Sequence, residues 1–219
     1  MRNIILLAAP NAGKGTLAEK LVEKYGYIHI STGDILRERV KVGDELASEL
    51  LGYMNSGALV PDAIIGEALE YKLTHTDISK GFIMDGFPRN ASQIPMYEEI
   101  TSKLGIDSGI AIELQIDKQS LFDRVLGRRI CGDCSAVYNL SYELMKPINE
   151  NYCDKCQGAL VHRSDDTVGA LEKRYATYIE NARPLLDFYK EKGVLYQVDS
   201  SDSKKAFDDV SKLLESLGA

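Results

Sequence analysis

Residues 6–21 read LLAAPNAGKGTLAEKL. The run begins as an apolar strand, turns at Gly13-Lys14-Gly15-Thr16, and continues with apolar residues at helical spacing. A strand, a glycine turn and a helix in that order bring backbone N–H groups and the positive end of a helix to one spot, which suits phosphate. The usual pattern is G-x-x-x-x-G-K-[ST], whose lysine neutralises charge at the outer phosphates. Here Gly13 and Lys14 are in place, Ala8 holds the first glycine position, and Thr16 comes one residue late, behind Gly15. Asn11 tolerates a left-handed backbone better than most residues; Ala8 in such a backbone would cost about 1–2 kcal/mol. As the last residue of a strand, Ala8 has no need of it.

Outward from this loop, strand-like runs recur: NIILLA from residue 3, YIHI from 27, GFIMD from 81, GIAIELQI from 109 and VLYQVD from 194. Between them GTLAEKLVEKYG, DAIIGEALEYKL and DKQSLFDRVLGRR carry helical periodicity, the last with Asp117 as a candidate cap. Near-continuous apolar strands alternating with helices predict an α/β fold with a parallel sheet covered on both faces. Two stretches break the rhythm. Residues 31–61 read as helical without a strand, and residues 128–166 as a polar, loop-like segment. The expected division is a core of 1–30, 62–127 and 167–219 with two insertions, 31–61 and 128–166. A long helix follows the second insertion, with Pro184 inside it as a candidate kink and Gly193 as its stop. Arg124 and Arg128, four residues apart, are expected on one helix face.

The chain has 219 residues, 44% hydrophobic and 27% charged, with a net charge of −7. That balance excludes a general nucleic-acid binder, so an anionic ligand must meet a local cluster of cations. No apolar run reaches the ~20 residues of a membrane span. The short apolar start runs straight into the glycine loop and reads as a core strand, so a cytoplasmic protein is expected.

All four cysteines fall in the second insertion, as CGDC (Cys131, Cys134) and CDKC (Cys153, Cys156). Two C-x2-C pairs predict a closed four-thiolate structural Zn2+ site, a position that iron can also occupy. Two disulfides are the rival, requiring an oxidising compartment.

In order along the chain stand GKGT, STGDILRERV, DGFPRN followed by Gln93, and DRVLGRR. This succession resembles the adenylate kinase family over nearly the whole chain. The resemblance implies a phosphate-loop core with a five-stranded parallel sheet, a mobile AMP-binding segment and a metal-containing lid. It implies Mg2+-dependent transfer of the ATP γ-phosphoryl group to AMP, giving two ADP. Gly13, Lys14, Gly15 and Thr16 would hold ATP phosphates, and Arg124 and Arg128 would meet ATP. Thr32, Arg37, Gly57 and Val60 would meet AMP; Gly86 and Arg89 its phosphate; Gln93 its adenine edge. Asp85 would organise Mg2+ through water, and Arg163 and Arg174 would close over the transferring group. Tyr138 would either stack beside the ATP base or pack beneath the lid. Asp165 and Asp166 would pair with arginines or hold the lid hinge. Departures from the family pattern are Ala58 for a lysine, Val168-Gly169 for acidic residues, and Val198-Asp199-Ser200 for a V-D-G turn. Gly169 early in a helix costs roughly 1 kcal/mol. A kinase for another monophosphate, and a nucleotide-binding regulator without turnover, are the competing readings.

The chemistry itself asks for cations rather than a base. A monophosphate's second pKa is about 6, so the attacking oxygen already carries charge near neutrality. What the step needs is positioning and charge neutralisation, with water kept out by closure. The histidines at 29, 75 and 162 stand in no triad-like setting; His29 is expected to pack beside its strand and His162 to belong to the lid.

Overall fold

The first strand, β1 (Ile4–Ala8), is buried on both faces because its side chains alternate into two separate cores. Ile4 and Leu6 join Leu21, Ile112 and Leu114 on one side; Ile5 and Leu7 join Ile30, Phe82 and Met84 on the other. The computed structural model describes residues 2–43, 46–163 and 166–218. Helix α1 (Lys14–Tyr25) leaves the loop and ends at left-handed Gly26, leading to β2 (Ile28–Ser31). Then come α2 (Thr32–Val42), α3 (Ala47–Ser56), α4 (Asp62–Thr74), β3 (Phe82–Asp85), α5 (Gln93–Lys103), β4 (Ile110–Gln115) and α6 (Lys118–Gly127). As expected, Asp117 caps α6 by accepting from the Ser120 N–H at 2.9 Å. The lid strands β5 (Arg128–Cys131), β6 (Val137–Asn139) and β7 (Leu160–Val161) precede the long α7 (Val168–Glu191), then β8 (Leu195–Asp199) and α8 (Ser203–Ser216).

The main sheet is parallel, ordered β2-β3-β1-β4-β8. From β1 the chain builds first to one side, through β2 and β3, and then to the other, through β4 and β8. The loop after β1 therefore opens at the switch point, where open α/β sheets bind ligands.

Two expectations are corrected. Residues 128–166 are not simply loop: β6-β5-β7 form a small antiparallel sheet. Their strands are two to four residues long and interrupted by the cysteine turns, too short to show an alternating pattern. Nor do Arg124 and Arg128 share a helix face, because α6 stops at Gly127 and Arg128 is extended (φ −65°, ψ 136°). The Asn139 amide donates to the Arg124 carbonyl at 2.9 Å, and the Gly127 carbonyl accepts from the Leu140 N–H at 2.8 Å. Lid contacts thus cap the helix there, at a glycine where an added Cβ would lie 2.2 Å from Asn139 Oδ1. Helix α7 is continuous through Pro184, and Gly193 follows it at φ 69°.

Candidate active site and metal centre

Ala8 is paired with Leu114 as an ordinary strand residue, so replacing the first motif glycine strains nothing. The left-handed positions in the loop are Asn11 (φ 63°) and Gly13 (φ 98°). The Lys14 ammonium folds back over the loop and donates to the Ala8 and Ala9 carbonyls at 3.2 and 3.3 Å. Burial lowers its pKa, the Arg89 and Arg128 charges add to that, and Asp85 opposes them. A cation so poorly solvated is poised to gain from an anion.

Asp85 ends β3, beside Ser31 in register. Burial pushes its carboxyl up, but His29, Lys14 and Arg89 outweigh that and hold it below the usual range. His29 does more than pack: its Nε2 lies 3.4 Å from Asp85 Oδ2. Burial works against the imidazolium, yet Asp85, with Asp34 and Glu19, raises its pKa overall. The neighbouring strands create this pair, and no local motif announces it.

Beyond β3, Gly86 is left-handed (φ 87°), and an added Cβ would lie 2.7 Å from Thr32 Oγ1 and 2.8 Å from Arg89 Nη2. Thr32 Oγ1 donates to the Gly86 carbonyl at 3.0 Å, and Arg89 Nε to the same oxygen at 2.7 Å. Arg37 is held by Asp34 through Nε at 3.2 Å and Nη2 at 2.5 Å. Gly57 (φ 73°) lets the end of α3 approach α7, where its Cβ would meet the Ala170 carbonyl at 2.8 Å. There Arg174 Nη2 donates to the Met54 carbonyl at 2.9 Å.

On the opposite wall, Arg124 Nη2 donates to the Ser200 and Ser201 carbonyls at 2.7 and 2.9 Å; the cleft is lined there by Ser201, Asp202 and Ser203, just past Val198-Asp199-Ser200. The Arg124 guanidinium also sits 5.5 Å from the Tyr142 ring centroid, a lid contact that the sequence reading missed. Arg128 makes a two-pronged pair with Asp166, whose side chain is 1% exposed. This pair ties the two ends of the lid together; Asp165 lies outside the described residues. Arg163 lines the cleft from the lid; burial pushes the Asp34 carboxyl up, but Arg37 and Ser31, with a smaller contribution from the Arg163 charge, bring it below its ordinary value. Every nucleotide-side residue singled out from the sequence borders a single cleft of about 1050 Å³, including Val60, Gln93 and Tyr138. Ala58 borders it too.

The four cysteine sulfurs lie within 4.8 Å of one another. Cys131–Cys156 and Cys134–Cys153 sulfurs are 3.4 and 3.5 Å apart, and all four are free thiols. A bonded pair would sit near 2.0 Å; four thiolates about a zinc ion would sit about 3.8 Å apart. The cluster therefore fits a metal ion and not two disulfides. Cys153 is fully buried, which alone would raise its pKa. The Tyr138 hydroxyl and the Lys155 and Cys156 N–H groups reverse this and bring it to about 6. Tyr138 is buried beneath the lid, its hydroxyl 3.3 Å from Cys153 Sγ and accepting from the Asp154 N–H at 2.9 Å. Its hydroxyl end packs against the cysteine cluster, while the residue also borders the cleft.

A phosphate loop at the switch point, a cleft lined by cations from separate elements, and a small sheet above it define a nucleotide phosphotransferase of the monophosphate kinase class. Residues 6–194 match the adenylate kinase family. The chain is 41% identical over 216 residues to an adenylate kinase of Geobacillus sp. (strain WCH70), covering 98% of this chain and 99% of that one. It is 40% identical over 216 residues to an adenylate kinase of Archaeoglobus fulgidus, with the same coverage. With an adenylate kinase of Lysinibacillus sphaericus (strain C3-41) the identity is 42% over 215 residues, 98% of each chain. The chain belongs to the adenylate kinase family.

Proposed function

We propose that this chain is an adenylate kinase, transferring the γ-phosphoryl group of ATP to AMP and giving two ADP, for adenine nucleotide homeostasis. The observation that carries the reading is the convergence of Lys14, Arg89, Arg124, Arg128, Arg163 and Arg174 on one cleft. In this reading Gly13, Lys14, Gly15 and Thr16 cradle the ATP phosphates, and Arg124 and Arg128 meet ATP. Thr32, Arg37, Gly57, Val60, Gly86, Arg89 and Gln93 hold AMP. Arg163 and Arg174 neutralise the group in flight. The AMP phosphate oxygen attacks in line and needs no general base; the cations lower the repulsion between the two anionic nucleotides. Mg2+ supplies charge neutralisation of the ATP phosphates, and Asp85, held ionised at the loop, is the residue to organise its water shell.

The four cysteines hold structural Zn2+, a closed site without an open position for catalysis. The core is 1–30, 62–127 and 167–219, with 31–61 the AMP-binding segment and 128–166 the lid. The enzyme works as a cytoplasmic monomer; among the described residues no helix is long and apolar enough to cross a membrane.

Turnover of AMP, UMP, CMP and GMP with Mg-ATP, followed as ADP formation, tests the proposal. AMP should be preferred. Preference for another monophosphate would reassign the substrate, and nucleotide binding without turnover would make the chain a regulator.

A further inference from the structure

Gln93 opens α5 and is 2% exposed, yet it borders the cleft. A carboxamide is nearly symmetric in shape, so sterics alone do not decide which way its oxygen and nitrogen point. Two fixed groups decide it here. Gln93 Oε1 accepts the Arg89 N–H at 2.6 Å, and Nε2 donates to Asp62 Oδ1 at 2.7 Å. A flipped amide would set its NH2 against an N–H and its oxygen against a carboxylate, repulsive at both ends.

Asp62 is itself held firmly. It is the first residue of α4, and Oδ2 accepts from Ser92 Oγ at 2.5 Å while Oδ1 also takes Asn90 Nδ2 at 3.4 Å. Asn90 in turn accepts the Gln93 N–H at 2.9 Å, fixing the start of α5 against the start of α4. Asp62 stands behind Gln93 and is not among the residues lining the cleft. After these bonds Gln93 retains one lone pair on Oε1 and one N–H on Nε2. That is an acceptor beside a donor, in an order that cannot reverse.

A 6-amino purine offers a donor beside an acceptor ring nitrogen; a 6-oxo purine offers the opposite order. We propose that Asp62 is a positioning residue that sets the polarity of the Gln93 amide and so selects a 6-amino over a 6-oxo purine in the monophosphate subsite. The inference rests on the reading of Gln93 as the residue facing the monophosphate base. Asp62 touches no substrate and acts only through that amide.

The test compares AMP with inosine monophosphate, which reverses the edge while leaving the sugar and phosphate unchanged. ADP formation from saturating Mg-ATP is measured for wild type, Asp62→Ala, Asp62→Ser, Asp62→Asn and Gln93→Ala, alongside each protein's melting temperature. Asp62→Ala should lower the AMP-to-IMP ratio of kcat/KM about tenfold, through the KM for AMP and with the KM for ATP unchanged. Asp62→Asn keeps an acceptor for Nε2 and should recover most of the ratio. Asp62→Ser keeps a polar start for α4 but cannot reach Gln93, so it should behave like alanine and answers the question if alanine fails to fold. A collapsed ratio in Gln93→Ala with a normal ratio in the alanine and serine variants would overturn the role of Asp62 and leave Gln93 in place. A normal ratio in Gln93→Ala as well would overturn both readings. Equal losses on the two monophosphates in the Asp62 variants would reduce the aspartate to a support for the helix start.

Discussion

Lys14 concentrates the chemistry in one side chain. Its ammonium is half-buried on two loop carbonyls and beside other cations, so an anionic ligand gives it a stronger partner than the carbonyls it now holds. Lys14→Ala should lower kcat by about 10²–10³, with a smaller change in the melting temperature; steady-state kinetics beside a thermal melt separates the two. The His29–Asp85 pair makes a pH prediction. The folded-state pKa of His29 is raised above its ordinary 6.5. Its contribution to stability is therefore full below that value and lost as pH rises through the folded pKa. Melting temperatures of wild type and His29→Gln should converge as pH is raised from about 6 to about 8; a constant difference would contradict the pairing. The DGFPR run was legible as a motif, whereas the histidine facing it was not, because β2 and β3 meet only through a parallel crossover.

At the scale of elements, the lid depends on its cysteines. Its own buried cluster holds Cys131, Ala136, Tyr138 and Cys153, with Leu160 packed against it, which is little apolar surface for three short strands. Metal–thiolate bonding of about 10–16 kcal/mol would dominate such a segment. Cys153→Ser should therefore lower bound zinc and the melting temperature more than it lowers kcat, measured by metal analysis, calorimetry and the coupled assay. An unchanged melt with full metal content would contradict this. The C-x2-C spacing made the ligands readable in sequence. The lid sheet was not readable, since its strands carry too few residues for a period to emerge. The end of α6 was likewise hidden, because Asn139, fifteen positions beyond Arg124, supplies the cap.

In the whole molecule, the lid cluster is separate from the two cores that cover the parallel sheet. Chelation should therefore loosen the lid first. Hydrogen exchange after zinc removal should accelerate across β5, β6 and β7 while β1, β3 and β4 keep their protection. Simultaneous loss in both sheets would show the metal supporting the entire fold. The acidic chain still gathers eight lysines and arginines around one cleft among the described residues, because loops from separate elements meet at the carboxyl end of the sheet.

The amino-acid sequence by itself determined the α/β alternation, the phosphate loop, the arginine-bearing motifs and the two cysteine pairs. Each is written in residues close together in the chain, where backbone conformation and spacing act. Only the tertiary structure decided that Ala8 is harmless, that Arg128 leaves its helix to pair with Asp166, that His29 faces Asp85, and that Asp62 is hydrogen-bonded to Gln93. Those outcomes depend on which strands lie side by side and which helix starts touch, and such contacts are set by burial of the common core rather than by neighbours in sequence.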